Sequence, residues 1–169
     1  MKNVQNYLHA ALKAKRLTAA AVFMAGSLVI TQASADPEST VTVYKTPWCG
    51  CCHLWAEAVE QAGYNVTVKD MEDLSGIKKQ AGVPAELEGC HTAVMKTGGH
   101  TYVLEGHVPL EAMARLADEQ PDIRGVAVAG MPMGSLGMGD DPSASYDVDV
   151  LPETPSGAPA VFMHMGEGN

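Results

Sequence analysis

From residue 41 onward, short runs of alternating apolar residues are separated by runs whose apolar residues recur at helical spacing. The alternating runs predict four strands, at Val41–Tyr44, Asn65–Lys69, Thr92–Met95 and Thr101–Leu104. The helical runs predict helices from Cys52 to Ala62, from Leu74 to Ala81 and from Leu110 to Glu119. Gly63 and Gly82 are placed to end the first two, and Pro109 to start the third. The order β-α-β-α-β-β-α predicts an α/β fold with a central mixed sheet flanked by helices.

The chain after residue 121 differs in composition. Three further strands are predicted, at Val126–Val128, Asp147–Leu151 and Ala160–Phe162. The Gly- and Met-rich segment 130-GMPMGSLGMGDDPSAS-145 lies between the first two of these strands. A flexible low-complexity tail is one interpretation. Because apolar alternation resumes after residue 145, we favour strands that pack onto the sheet with a Met-rich loop between them.

The first 35 residues have the pattern of a secretory signal peptide. An apolar run from Leu17 to Ile30 precedes Ala33-Ser34-Ala35, which fits an A-x-A cleavage site, and four basic residues come before that run: Lys2, Lys13, Lys15 and Arg16. The apolar run is shorter than the roughly 20 residues that span a bilayer, which favours a cleaved leader over a membrane anchor. We therefore expect export to a periplasm, without stable membrane insertion after cleavage.

Charge narrows the range of partners. The whole chain has a net charge of −9, from 11 basic and 20 acidic residues. Four of the basic residues and none of the acidic ones lie in the predicted leader, so the exported chain has seven basic and 20 acidic residues, a net charge of −13. This charge disfavours nucleic acid and anionic membrane surfaces, and it favours cations, metal ions among them. Keeping a secreted protein soluble is an equally good reason for it.

Three of the four cysteines lie in 49-CGCC-52, at the predicted turn from the first strand to the first helix. A disulfide at this spacing closes too short a loop to stabilise the fold much. A helix N-terminus stabilises thiolates, so this turn predicts redox chemistry or a soft-metal site. Cys49 and Cys52 form a C-x-x-C pair, for which an inert surface disulfide is the alternative interpretation.

The other two cysteines favour a metal. A dithiol enzyme does not need Cys51, which at a helix start would point away from the face shared by Cys49 and Cys52. A third thiolate suits a site for Cu(I), zinc or an iron–sulfur cluster, although a bystander role stays open. Cys90 comes just before the third strand, where a thioredoxin-type arrangement faces the C-x-x-C turn. We predict that it supplies a fourth sulfur, as a ligand or a disulfide partner.

Thioethers and imidazoles add candidate ligands. Five methionines stand in or near the Gly-rich tail: Met131, Met133, Met138, Met163 and Met165. Thioethers bind Cu(I), although methionine also fills gaps in packing. Among the histidines we select only His91, next to Cys90, and His164, between two methionines. No phosphate-binding loop follows a strand, and neither H-E-x-x-H nor G-x-S-x-G occurs.

The chain resembles the exported thioredoxin-like proteins of the CopG type in five segments: 46-TPWCGCCH-53, 82-GVP-84, 90-CHT-92, 105-EGHVP-109 and 130-GMPMGS-135. The resemblance covers nearly all of the chain after the leader. It implies a thioredoxin-like fold and copper, as Cu(I) or Cu(II), bound by the Cys cluster with the help of nearby Met and His side chains. It also implies a role in periplasmic copper handling or resistance, with redox cycling and with other copper-handling proteins as partners.

His91 stands where thioredoxins have a cis-proline, and this departure favours metal over exchange with disulfide substrates. We therefore predict a Cu(I)-binding protein whose redox state and metal binding are linked. The metal ligands in this prediction are Cys49, Cys51, Cys52, Cys90, His91, Met133, Met138 and His164. The alternatives are a thiol–disulfide oxidoreductase, with Cys49 as nucleophile and Cys52 as resolving cysteine, and a structural zinc site formed by the four cysteines. The predicted organisation is a leader at 1–35, a core at 36–121 and a Gly/Met-rich β extension at 122–169.

Overall fold

The structure, a computed structural model, describes residues 39–154 and 157–166, so the predicted leader lies outside the described residues. The strands are β1 (Thr40–Lys45), β2 (Asn65–Asp70), β3 (Thr92–Thr97), β4 (His100–Glu105), β5 (Gly125–Ala127), β6 (Tyr146–Val150) and β7 (Ala160–Met165). The helices are α1 (Gly50–Gln61), α2 (Ser75–Ala81) and α3 (Leu110–Glu119), with a short 3₁₀ helix at Ala85–Leu87 that the sequence did not predict.

The predicted order of elements is confirmed, although β7 runs three residues beyond its predicted end at Phe162 and the first helix starts earlier than predicted. The prediction began it at Cys52, whereas α1 begins at Gly50. Cys49 is its N-cap, and its sulfur accepts a hydrogen bond from the backbone N–H of Cys52 at 3.4 Å. A sulfur in the place of the usual capping oxygen satisfies one of the free N–H groups of the first turn, which allows the helix to start earlier.

All seven strands form one sheet in the order β2-β1-β3-β4-β5-β6-β7. The pairs β1–β2 and β4–β5 are parallel and the other four are antiparallel. The unit β1-α1-β2 followed by β3-β4-α3 is the predicted thioredoxin-like arrangement. β5, β6 and β7 then extend the same sheet beyond β4, so the C-terminal strands pack on the core and the low-complexity interpretation of this segment is wrong.

The main core lies on one face of the sheet. Val43, Ala93, Leu104 and Val126 are register neighbours on successive strands, and all are fully buried. Helices α1 and α3 cover this face with their apolar stripes: Trp55, Ala56 and Val59 from α1, and Ala112, Met113 and Leu116 from α3. A smaller cluster on the opposite face joins Val83, Leu87, Ala127 and Leu151. Among the described residues, no helix is both long and apolar enough to cross a membrane.

Two valines on neighbouring strands test how far the C-terminal strands belong to the core. Val148 on β6 is fully buried in the main cluster, whereas Val161 on β7 is 59% exposed. We expect Val148→Ala to lower the free energy of unfolding by about 2 kcal/mol, because buried methyl groups are lost and a cavity remains. Val161→Ala, the matched control, should change it by less than about 0.5 kcal/mol. Urea unfolding measures both, and equal small effects would contradict a core role for β6.

Candidate metal centre

Three chain segments meet at one end of the sheet because of its strand directions. β1 leads into the cysteine turn, and Tyr44 near its end pairs with Thr92 at the start of β3. Thr92 in turn pairs with Glu105 at the end of β4. The cysteine turn, the segment before β3 and the segment after β4 therefore lie side by side. These segments carry Cys49 to Cys52, Cys90 with His91, and His107.

The four cysteine sulfurs form a compact group. Cys49 and Cys52 are joined in a disulfide, and Cys51 and Cys90 are free thiols. The sulfur of Cys51 lies 3.5 Å from that of Cys49 and 3.9 Å from that of Cys90, and the sulfurs of Cys90 and Cys52 are 3.2 Å apart. All four lie within 4.8 Å of one another. The expectation that Cys51 points elsewhere was wrong, since its sulfur joins the group from the first turn of α1.

His107 joins the same group, and the sequence did not predict it. Its Nδ1 lies 2.6 Å from the carbonyl oxygen of Leu136, and its Nε2 lies 2.9 Å from the sulfur of Cys90. Since a carbonyl only accepts, Nδ1 carries the proton, and in the neutral ring Nε2 presents its lone pair to Cys90. Burial lowers the pKa of His107, which favours this neutral form. A backbone carbonyl that orients an imidazole in this way is a common feature of metal-binding histidines.

His91 is the second buried imidazole. It is fully buried, with its ring centroid 4.5 Å from that of Trp55 and 5.1 Å from that of His107. Its Nε2 has no hydrogen-bond partner among the described residues. Burial, with smaller effects from His107 and two lysines, lowers the pKa of His91 to about 3. The Nδ1 of this neutral imidazole lies 3.8 Å from the sulfur of Cys90, which places the ring beside the sulfur group.

Together these side chains give two overlapping groups with metal-ligand spacing. One is the four cysteines, and the other joins Cys52 and Cys90 to His91 and His107. The Cys90 thiol is shared, and its pKa is raised to about 12 by burial first and by the neighbouring Cys51 second. A thiol in such a setting is protonated at neutral pH, so a metal ion that binds Cys90 must displace its proton.

A buried polar network holds the segment that carries Cys90 and His91. Lys78 from α2 forms an ion pair with Glu105 and donates to the carbonyl oxygen of Gly89 at 2.9 Å. Glu105 also accepts from the N–H of Gly89 at 2.8 Å and from the hydroxyl of Thr92 at 2.6 Å. Burial raises the pKa of Glu105, and its bonds to Lys78 and Thr92 oppose that rise. The network contacts the residues on both sides of Cys90 and His91, and it fixes their position.

The Met-rich loop, defined as residues 130–139, lies against the start of α1. Its first residue, Gly130, forms a bridge with Gly89, and Leu136 supplies the carbonyl that orients His107. At Gly137 the backbone comes so close to α1 that a Cβ would lie 2.8 Å from the carbonyl oxygen of Cys51 and 2.9 Å from the nitrogen of Trp55. The C-terminal extension is therefore part of the wall of the site.

The predicted ligands Met133, Met138 and His164 lie in different surroundings. Met133 is 59% exposed, and Met138 is half-buried next to Gly137. His164 lies on β7, where its Nδ1 is 2.7 Å from a carboxylate oxygen of Asp147 and its Nε2 is 3.3 Å from the hydroxyl of Ser145. Met163 and Met165, which alternate with it, pack against the main core. His164 is in neither group of converging Cys and His ligands.

Part of this site lies in a segment that matches the profile of a known protein family. The profile of a family described as a protein of unknown function, DUF411, matches residues 87–138, which include Cys90, His91, His107 and the Met-rich loop. No curated protein sequence matches the chain.

Two solved structures match it. The copper resistance protein CopG in form 1 is 35% identical, with a TM-score of 0.65, over 75% of this chain and 97% of that one. Form 2 is 34% identical, with a TM-score of 0.65, over 75% of this chain and 98% of that one.

The buried ion pair gives a test of what holds the segment with Cys90. We expect Lys78→Met to lower the free energy of unfolding by about 3–5 kcal/mol, because it leaves the Glu105 carboxylate buried without its cation. Adding Glu105→Gln should recover at least half of that loss, since the amide oxygen still accepts from Gly89 and no charge is stranded. Urea unfolding measures both variants. A loss below about 1 kcal/mol in Lys78→Met would show that the pair is not essential.

Two glycines in the Met-rich loop test its contact with α1. Gly137 and Gly139 both have left-handed backbones, with φ of 85° and 86°, but a Cβ at Gly139 meets nothing within 4 Å. Each change to alanine adds about 1–2 kcal/mol of backbone strain. Gly137→Ala should cost at least about 1 kcal/mol more, because its methyl group meets the backbone of α1. Thermal unfolding of the two variants isolates the contact, and equal losses would contradict it.

Proposed function

The chain belongs to the family of the copper resistance protein CopG, and we propose that it binds copper as Cu(I) at the four-cysteine group, in copper handling. The observation that carries the proposal is the convergence of Cys49, Cys51, Cys52 and Cys90 within 4.8 Å. Thiolate sulfur is the ligand that Cu(I) prefers over harder donors.

The buried imidazoles support the same assignment. In the neutral form fixed by Leu136, the Nε2 of His107 points at the sulfur of Cys90, and the Nδ1 of the buried His91 lies 3.8 Å from the same sulfur. Imidazole and thiolate are both ligands of copper. We therefore add His107 to the copper ligands predicted from the sequence, beside His91.

Redox state sets how many sulfurs are available. With the disulfide between Cys49 and Cys52 in place, only Cys51 and Cys90 remain as thiols. Two-electron reduction returns the other two sulfurs to the group. Because thiolates and not disulfides bind Cu(I), copper affinity rises on reduction and falls on oxidation, and copper uptake releases the thiol protons.

The remaining predicted ligands, Met133, Met138 and His164, are proposed to bind copper outside the four-cysteine group. Met138 follows the glycine that touches α1, so we propose it as the thioether nearest to the cysteines. Met133, with its exposed side chain, is proposed to hold Cu(I) at the surface before it reaches the sulfurs. His164 on β7 is held by Asp147 of β6 and is proposed as a separate, weaker copper ligand.

Export through a cleaved leader at residues 1–35 remains part of the proposal, with other periplasmic copper-handling proteins as donors or acceptors. The net charge of the exported chain would attract the cation. The core at 36–121 would carry the cysteines, and the extension at 122–169 would complete the site through its Met-rich loop.

A second candidate function is thiol–disulfide exchange with an external substrate. The disulfide between a half-buried Cys49 and a buried Cys52 favours it, because the more exposed sulfur suits a nucleophile and the buried one a resolving cysteine. A structural zinc site formed by the four cysteines is the third candidate. Zinc at that site would need the disulfide reduced and would stay bound without turnover.

A Cu(I) titration of the reduced protein against a competing chelator, with zinc as a competing metal, separates these candidates. We expect tight uptake of Cu(I) in preference to zinc, because soft thiolates dominate the ligand set. Cys51→Ser and His107→Gln should each lower affinity at least about tenfold or reduce the stoichiometry. His100→Gln is the control, since His100 stacks on Tyr102 at the opposite end of β4.

Two results would change the assignment. Unchanged copper binding in Cys51→Ser would make Cys51 a bystander and the exchange enzyme the leading candidate. Preference for zinc, together with unfolding when zinc is chelated, would favour the structural site.

A further inference from the structure

The sulfur of Cys90 lies beside the disulfide, and an imidazole lies beside Cys90. The distances are 3.2 Å from the Cys90 sulfur to that of Cys52, and 2.9 Å from the Cys90 sulfur to Nε2 of His107. We propose that the protein carries out an internal thiol–disulfide exchange, in which Cys90 attacks Cys52 and moves the disulfide from Cys49–Cys52 to Cys52–Cys90.

The three groups have the arrangement of a nucleophile and a base. The base is needed because burial keeps the Cys90 thiol protonated, so the thiol passes its proton to His107 as it attacks. Cys90 is the nucleophile, and His107 is the base within reach of its proton. The carbonyl of Leu136 orients the base, because it accepts from Nδ1 and leaves the lone pair of Nε2 facing the thiol. For the attack, rotation of the Cys90 side chain must bring its sulfur into line with the Cys52–Cys49 bond.

The exchange balances without an outside oxidant or reductant. Nε2 of His107 takes the proton of the Cys90 thiol, and the Cys90 sulfur forms a bond with the Cys52 sulfur. The bond between Cys52 and Cys49 breaks, and its electron pair leaves on Cys49. The product has one disulfide and two thiols, as the starting state has, and the proton on His107 returns to a thiolate or to water.

Cys49 is a good leaving group because of its place at the start of α1. As the N-cap, its sulfur already accepts the N–H of Cys52 at 3.4 Å. The positive end of the helix dipole stabilises a thiolate at this position, and a stabilised thiolate leaves faster.

The competing attack, by Cys51 on Cys49, is less favoured. Their sulfurs are 3.5 Å apart, but the thiolate released would be Cys52, which is fully buried. A buried thiolate is costly to form and leaves slowly. Among the described residues, the sulfur of Cys51 has hydrogen-bond contacts with Cys49 and Cys90 and with no imidazole. The direction of exchange is therefore set towards Cys52–Cys90.

The exchange changes which pair of thiols is free. Before it, the thiols are Cys51 and Cys90, 3.9 Å apart, and after it they are Cys49 and Cys51, which are 3.5 Å apart in the first state. Cys51 stays a thiol in both states. If the proposed copper function holds, the exchange passes a bound Cu(I) ion from the side of His107 to the first turn of α1, with Cys51 as the constant ligand.

The exchange is tested in the metal-free Cys51→Ser protein, oxidised to one disulfide, so that a single thiol remains. Iodoacetamide labels that thiol, and after denaturation and reduction N-ethylmaleimide labels the other two. Peptide mass spectrometry then locates the first label. We expect it to accumulate on Cys49, because alkylation traps the exchanged state. A first label confined to Cys90 at all times would overturn the proposal.

His107→Gln, made in the same Cys51→Ser protein, tests the base. Labelling of Cys49 should slow by about a hundredfold or more, because a positioned base contributes at least that much to such a step. His53→Gln is the matched control, since this histidine lies on α1 beside the cysteines but pairs with Glu57 at 3.2 Å. An unchanged rate in His107→Gln, or equal slowing in both variants, would remove His107 from the proposal.

Two features keep the outcome interpretable. If His107→Gln does not fold, the position of the first label in the Cys51→Ser protein still decides whether exchange occurs. Since no metal is present, failure of the exchange leaves the copper assignment standing, and failure to bind copper leaves the exchange standing.

Discussion

The ion pair between Lys78 and Glu105 is the interaction on which the site depends. Two charges are taken out of water, and their mutual attraction alone seldom offsets that loss. The additional stabilisation comes from the hydrogen bonds that the pair makes with Gly89 and Thr92. These two residues stand on either side of Cys90 and His91. A segment without regular structure is thereby given one position, and the distances among the sulfurs follow from it.

The C-terminal extension completes what this pair begins. Strands β5, β6 and β7 enlarge the sheet, but the part that reaches the site is the Met-rich loop between β5 and β6. Gly137 allows its backbone to approach α1, and the carbonyl of Leu136 then fixes which nitrogen of His107 is protonated. The choice of proton position turns a buried histidine into a group that can hold a metal or accept a proton from Cys90. The extension therefore affects the chemistry of the site through the backbone carbonyl oxygen of Leu136.

The sequence predicted the elements well because their signals are local: alternation for strands, helical spacing for α1 to α3, and glycine or proline at their ends. It also predicted the meeting of Cys90 with the cysteine turn, since the segment before the third strand faces that turn in a thioredoxin-type arrangement. It missed His107 because the approach of His107 to the cysteines depends on the register of Thr92 with Glu105 and on a loop without periodicity. The motif 105-EGHVP-109, at the end of a strand antiparallel to β3, was the available signal. Lys78 and Glu105 were missed because charged residues are seldom fully buried.

The extra cysteine in 49-CGCC-52 is explained by what the other three sulfurs can do. Cys49, Cys52 and Cys90 can exchange one disulfide among themselves, so each of the two terminal sulfurs is free in only one of the two states. Cys51 lies within 4 Å of both Cys49 and Cys90, and it is a thiol in both states. Without Cys51, a soft metal ion would have to leave the Cys90 sulfur before the Cys49 thiolate is released to receive it. A permanent thiol between the two positions gives the ion a continuous ligand, which a simple C-x-x-C pair cannot provide.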